Sequence, residues 1–262
     1  MPLFAANLSL LFTDRPFLDR FAAAARAGFR AVECQFPYDW PAAEIAQRLH
    51  AHGLQMVLHN LPAGDWAAGD RGIACHPDRV AEFRQGVPQA LACARALGVP
   101  RLNCLAGLLP AGVDPAQAQA TLVDNLRFAA QALAEHGLTL LVEPINTRDL
   151  PGFFLSRTDA ALALIEAVGA PNLKLQYDIY HAQRMEGELA ATLQRCLPHL
   201  GHVQLADNPG RHEPGTGEIH FGFLLRWLDQ IGYSGHVGCE YHPAQAGPGG
   251  TEAGLGWLQA FR

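Results

Sequence analysis

Apolar and polar positions along the chain repeat one unit: a stretch with apolar residues three and four apart, a glycine, then a short and nearly continuous apolar run. The first spacing marks one face of a helix, and the second reads as a strand covered on both sides. Gly28, Gly53, Gly98, Gly137, Gly169, Gly201 and Gly232 each follow a helix-like stretch, where a residue without Cβ readily takes the left-handed conformation that ends a helix. The apolar runs cover 30–36, 54–59, 101–105, 138–143, 173–178, 202–206 and 236–240, and 4–8 supplies an eighth. Helical spacing occupies 17–27; Asp114 and Pro115 open a helix over 116–134, and Ser156 is the expected cap of another over 158–168. Eight alternating units in 262 residues predict an α/β protein, a single (β/α)8 TIM barrel over 1–262. A doubly wound sheet is the alternative, but no GxGxxG follows the first strand.

Composition narrows the class of partner. The chain is 49% apolar and 17% charged with a formal charge of −6, which disfavours nucleic acid, since phosphate-backbone binding rests on Lys and Arg. No run approaches the roughly eighteen apolar residues of a membrane span. The six cysteines have no CxxC spacing and lie in apolar stretches, as small buried hydrophobes do. The opening residues lack the basic start and apolar core of a signal peptide, so a cytoplasmic protein is expected. The expected partner is a small molecule, with no nucleic acid and no membrane, and a homo-oligomer is left open.

Chemistry concentrates in the second half. Glu143, Asp178, Gln204 and Glu240 each end or nearly end an apolar run. A carboxylate there is costly unless paired, hydrogen-bonded or metal-bound. Strands five to eight are neighbours around a barrel, so these ends converge on one side of its mouth, and three carboxylates plus an amide oxygen suit a hard divalent ion, Mg²⁺ or Mn²⁺. Taken singly, each acid reads as well as a helix cap or salt-bridge partner; Glu33 shows the same pattern and is left structural. His59 and His181 stand at or just past strand ends and are candidate substrate contacts. Two long loops, 60–76 and 207–218, carry Arg71 and Arg211, suited to clamping a carboxylate or simply to solvation. Loops this long in a compact domain are usually functional; Phe36 and Trp66 would cover the mouth or only pack. The Gly/Pro-rich 243–250 segment reads as a flexible connector.

The runs Asn7-Leu8-Ser9, His59-Asn60-Leu61-Pro62-Ala63-Gly64-Asp65-Trp66, Gly69-Asp70-Arg71-Gly72, Glu143-Pro144-Ile145-Asn146, Gln176-Tyr177-Asp178-Ile179-Tyr180-His181, Glu213-Pro214-Gly215-Thr216-Gly217-Glu218 and Gly238-Cys239-Glu240-Tyr241 closely resemble the bacterial hydroxypyruvate isomerases, among the xylose-isomerase-like barrels. The resemblance covers essentially the whole chain. It implies interconversion of hydroxypyruvate and tartronate semialdehyde through an enediol(ate), with Glu143 and Glu240 as the proton-transfer pair. It also implies a divalent metal held by Glu143, Asp178, Gln204 and Glu240, and substrate contacts from His181 and Arg211. Gln204 stands where the epimerase relatives have His, and His242 where Lys would be expected. The alternatives are a related isomerase or 3-epimerase acting on another short 2-keto acid, such as 2-oxo-tetronate, or a ketose. Further rivals are a multi-zinc abasic-site endonuclease, for which the His-rich cluster and basic surface are missing, and a catalytically inactive binding protein.

Overall fold

The computed structural model describes residues 2–261. Eight parallel strands close into a barrel in sequence order: β1 (Leu3–Asn7), β2 (Ala31–Glu33), β3 (Gln55–Asn60), β4 (Arg101–Cys104), β5 (Thr139–Val142), β6 (Leu173–Asp178), β7 (Leu200–Leu205) and β8 (His236–Cys239), with β8 pairing back onto β1. The surrounding helices are α1 (Phe17–Arg26), α2 (Ala42–His52), α3 (Val80–Leu97), α4 (Pro115–Ala134), α5 (Thr158–Val168), α6 (Ile179–Met185), α7 (Leu189–Cys196), α8 (Phe221–Gln230) and α9 (Gly250–Gly254). The expected barrel is the observed one.

Helix ends follow local chemistry. Asp114 caps α4 by accepting from the Ala116 amide at 3.1 Å, and Gly53 ends α2 in the left-handed conformation at φ 61°. Two expectations are corrected. Ser156 does not cap α5: the N-cap position falls on Arg157, and the Glu186 carboxylate accepts from both the amide and the hydroxyl of Thr158, at 2.7 and 3.0 Å. Gly201 does not end a helix but lies within β7, because α7 already closes through a turn of 3-10 helix at Leu197–His199. Its missing side chain serves packing instead, since a Cβ would stand 2.4 Å from Leu141 Cδ2. Strand β2 is shorter than its apolar run, and its register against β3 slips between Val32 and Glu33.

A continuous apolar layer fills the space between barrel and helices, and a smaller cluster of Ala5, Ala31, Val57, Leu58 and Leu141 packs separately. A polar chain also crosses the interior. Glu33 on β2 accepts from Gln204 Nε2 and pairs with His202 Nε2 on β7, both at 2.7 Å, and accepts from Asn7 Nδ2 at 3.0 Å. Strands β2 and β7 are not neighbours, so these bonds span the barrel. All six cysteines are free, five of them buried.

The two long loops lie at the C-terminal rim. The one after β3 is tied to the rim by Leu61 N to Asn103 O at 2.8 Å and Cys75 N to Ala106 O at 2.9 Å, and by an Arg79–Asp70 ion pair at 2.7 Å. Segment 243–250, expected as a flexible connector, is held at both ends, by Ala244 N to Glu213 Oε2 at 2.9 Å and Gly249 N to Asp14 Oδ2 at 3.2 Å. Among the described residues no helix is long and apolar enough to cross a membrane.

Candidate active site

Strands β5 to β8 deliver their polar ends to one half of the rim. Glu143 follows β5, Asp178 ends β6, Gln204 sits one residue before the end of β7 and Glu240 follows β8; all four are buried. A cavity of about 380 Å³ opens beside them, walled by Glu143, Tyr180, His181, Arg211, Glu240 and, from the opposite side of the mouth, Trp66. Carboxyl or imidazole atoms of Glu143, Asp178, His181 and Glu240 lie within 4.8 Å of one another.

The three carboxylates are served unequally. Glu143 Oε2 accepts from Asn103 Nδ2 at 3.0 Å, while Oε1 has no hydrogen-bond partner. Asp178 Oδ1 caps α6 by accepting from the Tyr180 amide at 2.7 Å, and Oδ2 is again unpartnered. Glu240 accepts from Asn7 Nδ2 at 3.1 Å, Gln35 Nε2 at 3.3 Å and Arg211 Nη2 at 2.8 Å. Burial pushes all three carboxyls above their ordinary range. Glu143 is held well above it, with Glu240 and Asp178 as repelling neighbours; Asp178 is pushed up to about 7; in Glu240 the rise is opposed chiefly by the Arg211 charge. Two buried, unpartnered carboxylate oxygens in an oxygen-rich cluster are costly alone and suited to a cation. The donor set therefore fits a divalent metal ion.

Gln204 is next to this cluster but engaged elsewhere. Its carboxamide oxygen accepts from Gln176 Nε2 at 2.6 Å and its NH2 donates to Glu33, which leaves one carbonyl lone pair for a ligand. His181 is inside the cluster, Nε2 lying 3.6 Å from Asp178 Oδ2 and 4.0 Å from Glu143 Oε1. Burial holds its imidazole well below the usual range, so it is neutral.

Arg211 lines the cavity, and among the described residues it is the one arginine or lysine in that wall. Its loop is organised by buried Asp207, whose carboxylate accepts from the amides of Asn208, Gly215, Gly217 and Ile219 at 2.9 to 3.0 Å. Arg211 itself takes φ 55°, a conformation that costs a branched-chain or long residue energy and persists where surroundings demand it. His242 also lines the cavity, and burial lowers its pKa, so it supplies no lysine-like charge there.

Two expected substrate contacts are placed elsewhere. Arg71 donates to the Trp66 and Asp70 carbonyls at 3.1 and 2.6 Å and lies over the Trp66 ring, 4.2 Å from its centroid. Its Nη1 and the face of its guanidinium thereby hold Trp66, which also packs on Phe36 at 5.2 Å between centroids. His59 is fully buried, with Nδ1 3.0 Å from the Asn60 carbonyl and its ring edge-on to Tyr38. The strand offers Asn60 rather than His59 to the cavity, because neighbouring residues of a strand point to opposite faces. Burial lowers the His59 pKa to about 4.

Sequence reasoning assigned no role to Asn7, Gln35, Asn146, Asp149 or Tyr180, all within or behind the cavity wall. Asn146 and Tyr180 fall in runs that carry the resemblance, but neutral polar residues near strand ends are too common to single out by type.

Residues 21–261 match the family model described as xylose isomerase-like TIM barrel. The chain is 54% identical to the hydroxypyruvate isomerase of Escherichia coli, covering 99% of each chain. It is 51% identical to the 2-oxo-tetronate isomerase of Cupriavidus necator over 100% of this chain and 99% of that one. A crystal structure from Brucella melitensis described as AP endonuclease, family 2, superposes with a TM-score of 0.96 at 46% identity, covering all of both chains.

Proposed function

The chain belongs to the xylose isomerase-like TIM barrel family, and we propose that within it the protein interconverts hydroxypyruvate and tartronate semialdehyde by proton transfer between Glu143 and Glu240. The observation that carries this reading is the pair of buried carboxyl groups meeting at one cavity with an arginine beside one and a neutral histidine beside the other. It is supported by the high identity to relatives that isomerise short hydroxy-keto acids.

The reaction breaks the C3–H bond of hydroxypyruvate, forms a C2–H bond, and moves one proton from the C3 oxygen to the C2 oxygen, through an enediol(ate). One glutamate accepts the carbon-bound proton while the other, protonated, delivers one to the neighbouring carbon; the reverse direction exchanges the roles. Arg211, the cation of the wall, draws the substrate carboxylate and keeps Glu240 oriented. The neutral His181 donates to a substrate oxygen as negative charge develops there. Trp66 and Leu105 add apolar surface to the same wall. A divalent ion, Mg²⁺ or Mn²⁺, would be held by Glu143, Asp178 and Glu240 with the remaining lone pair of Gln204. When bound it supplies Lewis-acid stabilisation of the enediolate oxygens.

The relative that isomerises 2-oxo-tetronate supports a second substrate, one carbon longer, for the same chemistry. Nucleic-acid cleavage has less support, because among the described residues the one metal-capable group holds three carboxylates and a single histidine. The test is NADH-coupled detection of tartronate semialdehyde with a tartronate semialdehyde reductase, beside 2-oxo-tetronate followed by NMR, each run before and after chelation and with Mg²⁺ or Mn²⁺ restored. Turnover of hydroxypyruvate with the higher kcat/KM bears out the reading. Preference for 2-oxo-tetronate moves the substrate, and no turnover of either overturns the function.

A further inference from the structure

We infer that Asn146 is a positioning residue that holds His181 in the tautomer carrying its proton on Nε2, aimed at the reacting substrate oxygens; the catalytic part of this rests on the function proposed above. Asn146 lies in the segment after β5, is fully buried and is not itself part of the cavity wall. Its carboxamide oxygen accepts from two backbone amides, Arg148 N at 3.1 Å and Asp149 N at 2.9 Å. Its NH2 group donates once to Asp149 Oδ2 at 3.0 Å, and its other hydrogen faces His181 Nδ1 at 2.7 Å.

These four contacts use every donor and acceptor position the amide has. Turning the amide over would set its oxygen against the Asp149 carboxylate and its NH2 against two backbone N–H groups, so the orientation is determined. With an N–H pointing at it, His181 Nδ1 must be the acceptor, and in a neutral imidazole the proton then sits on Nε2. Asp149 is itself held by the Tyr180 hydroxyl at 2.7 Å and by Arg184 at 3.4 Å, so the arrangement is braced from α6.

The Nε2–H so fixed faces Asp178 Oδ2 and Glu143 Oε1 at 3.6 and 4.0 Å, beyond a good hydrogen bond; neither oxygen has a hydrogen-bond partner among the described residues, and Arg211 Nη2 stands 3.9 Å from Asp178 Oδ2. A donor placed beside the proton-transfer pair, with no acceptor of its own within bonding distance, is set for an oxygen of the substrate. The opposite tautomer would present a lone pair to the same place and repel the developing enediolate.

The test uses Asn146→Asp and Asn146→Ala in the full chain, with ¹⁵N-histidine labelling. The ring-nitrogen signals of His181, assigned by comparison with His181→Gln, report the tautomer without any turnover. Wild type is expected to show the Nε2–H form. Asn146→Asp, nearly isosteric but now an acceptor, is expected to show the Nδ1–H form with kcat down about a hundredfold, the scale of losing one oxyanion donor. Asn146→Ala, which imposes neither tautomer, is expected to lose less. Because Asn146→Asp also sets an oxygen against Asp149 Oδ2, the order of the two variants decides nothing alone; the deciding readout is the tautomer signal, which a merely structural role would not switch. An Nδ1–H signal in wild type, an unchanged tautomer in Asn146→Asp, or a switched tautomer with unchanged kcat overturns the inference. Wild type that shows the Nε2–H form yet turns over neither keto acid instead overturns the proposed function.

Discussion

Arg211 Nη2 lies 2.8 Å from Glu240 Oε2, so a residue in the middle of the loop after β7 closes an ion pair with the residue that follows β8. The pair joins two neighbouring segments of the rim and sets a positive charge beside one of the two glutamates that face the cavity. It also separates the two arginines that the loops supply, since Arg71 is committed to Trp66.

Arg211→Gln is therefore expected to raise KM for hydroxypyruvate at least about tenfold, the scale of one charge-assisted hydrogen bond, whereas Arg71→Ala should change KM less than about threefold. Steady-state kinetics on the two variants decide the matter. A larger KM effect from Arg71→Ala would reverse the assignment.

Glu143→Gln and Glu240→Gln keep shape and burial but cannot exchange a proton. Each should lower kcat by about 10² to 10⁴, the usual range for a general acid or base, with a melting temperature close to that of wild type. The coupled assay and a thermal melt on the same samples check both halves. Wild-type turnover in either variant removes that glutamate from the chemistry.

Asp178 carries a stability cost that depends on pH. Its folded pKa, about 7, lies above the ordinary carboxylate value, so the folded state keeps the proton longer than the unfolded chain does. The associated stability is fully present below the unfolded pKa and is lost as pH rises through about 7. Histidines with lowered pKa, such as His59 at about 4, act in the opposite sense and complete their gain near the unfolded value of about 6.5. Comparing Asp178→Asn with wild type in chelator cancels them. The variant should gain in relative melting temperature between pH 5 and 8, reaching an advantage of about 1–2 kcal/mol, and should lose the stabilisation that Mg²⁺ or Mn²⁺ gives wild type. A difference that stays flat with pH contradicts the burial argument.

A Cβ on Gly238 would stand 2.4 Å from Glu33 Oε1. Gly238→Ala must displace the buried carboxylate that receives Asn7 Nδ2, and Asn7 donates to Glu240 as well. We expect a loss of about 1–3 kcal/mol by chemical denaturation, as overpacking costs, together with reduced kcat. Full activity at reduced stability would show that Glu33 does not help to place Glu240.

The barrel was legible because its information is local. Alternating three-and-four spacing with short apolar runs, punctuated by glycine, specifies eight β/α units whatever the neighbours do, and only the β/α count and length are then needed to close them. Even local signals were overruled at Ser156 and Gly201, where Glu186 and Leu141, distant in sequence, took over the position.

What the sequence by itself determined, then, was the fold and the four strand ends carrying Glu143, Asp178, Gln204 and Glu240, since a polar residue closing an apolar run is conspicuous in one dimension. Tertiary structure alone decided how those residues are partnered. It gave Gln204 to Gln176 and Glu33, brought His181 among the carboxylates, and turned Arg71 onto Trp66. It likewise set Asn146 against His181 Nδ1 across 35 residues of chain. The physical reason is that a hydrogen bond is directional over less than about 3.5 Å, a condition met or missed only once the strands have closed and each side chain has a definite place on the rim.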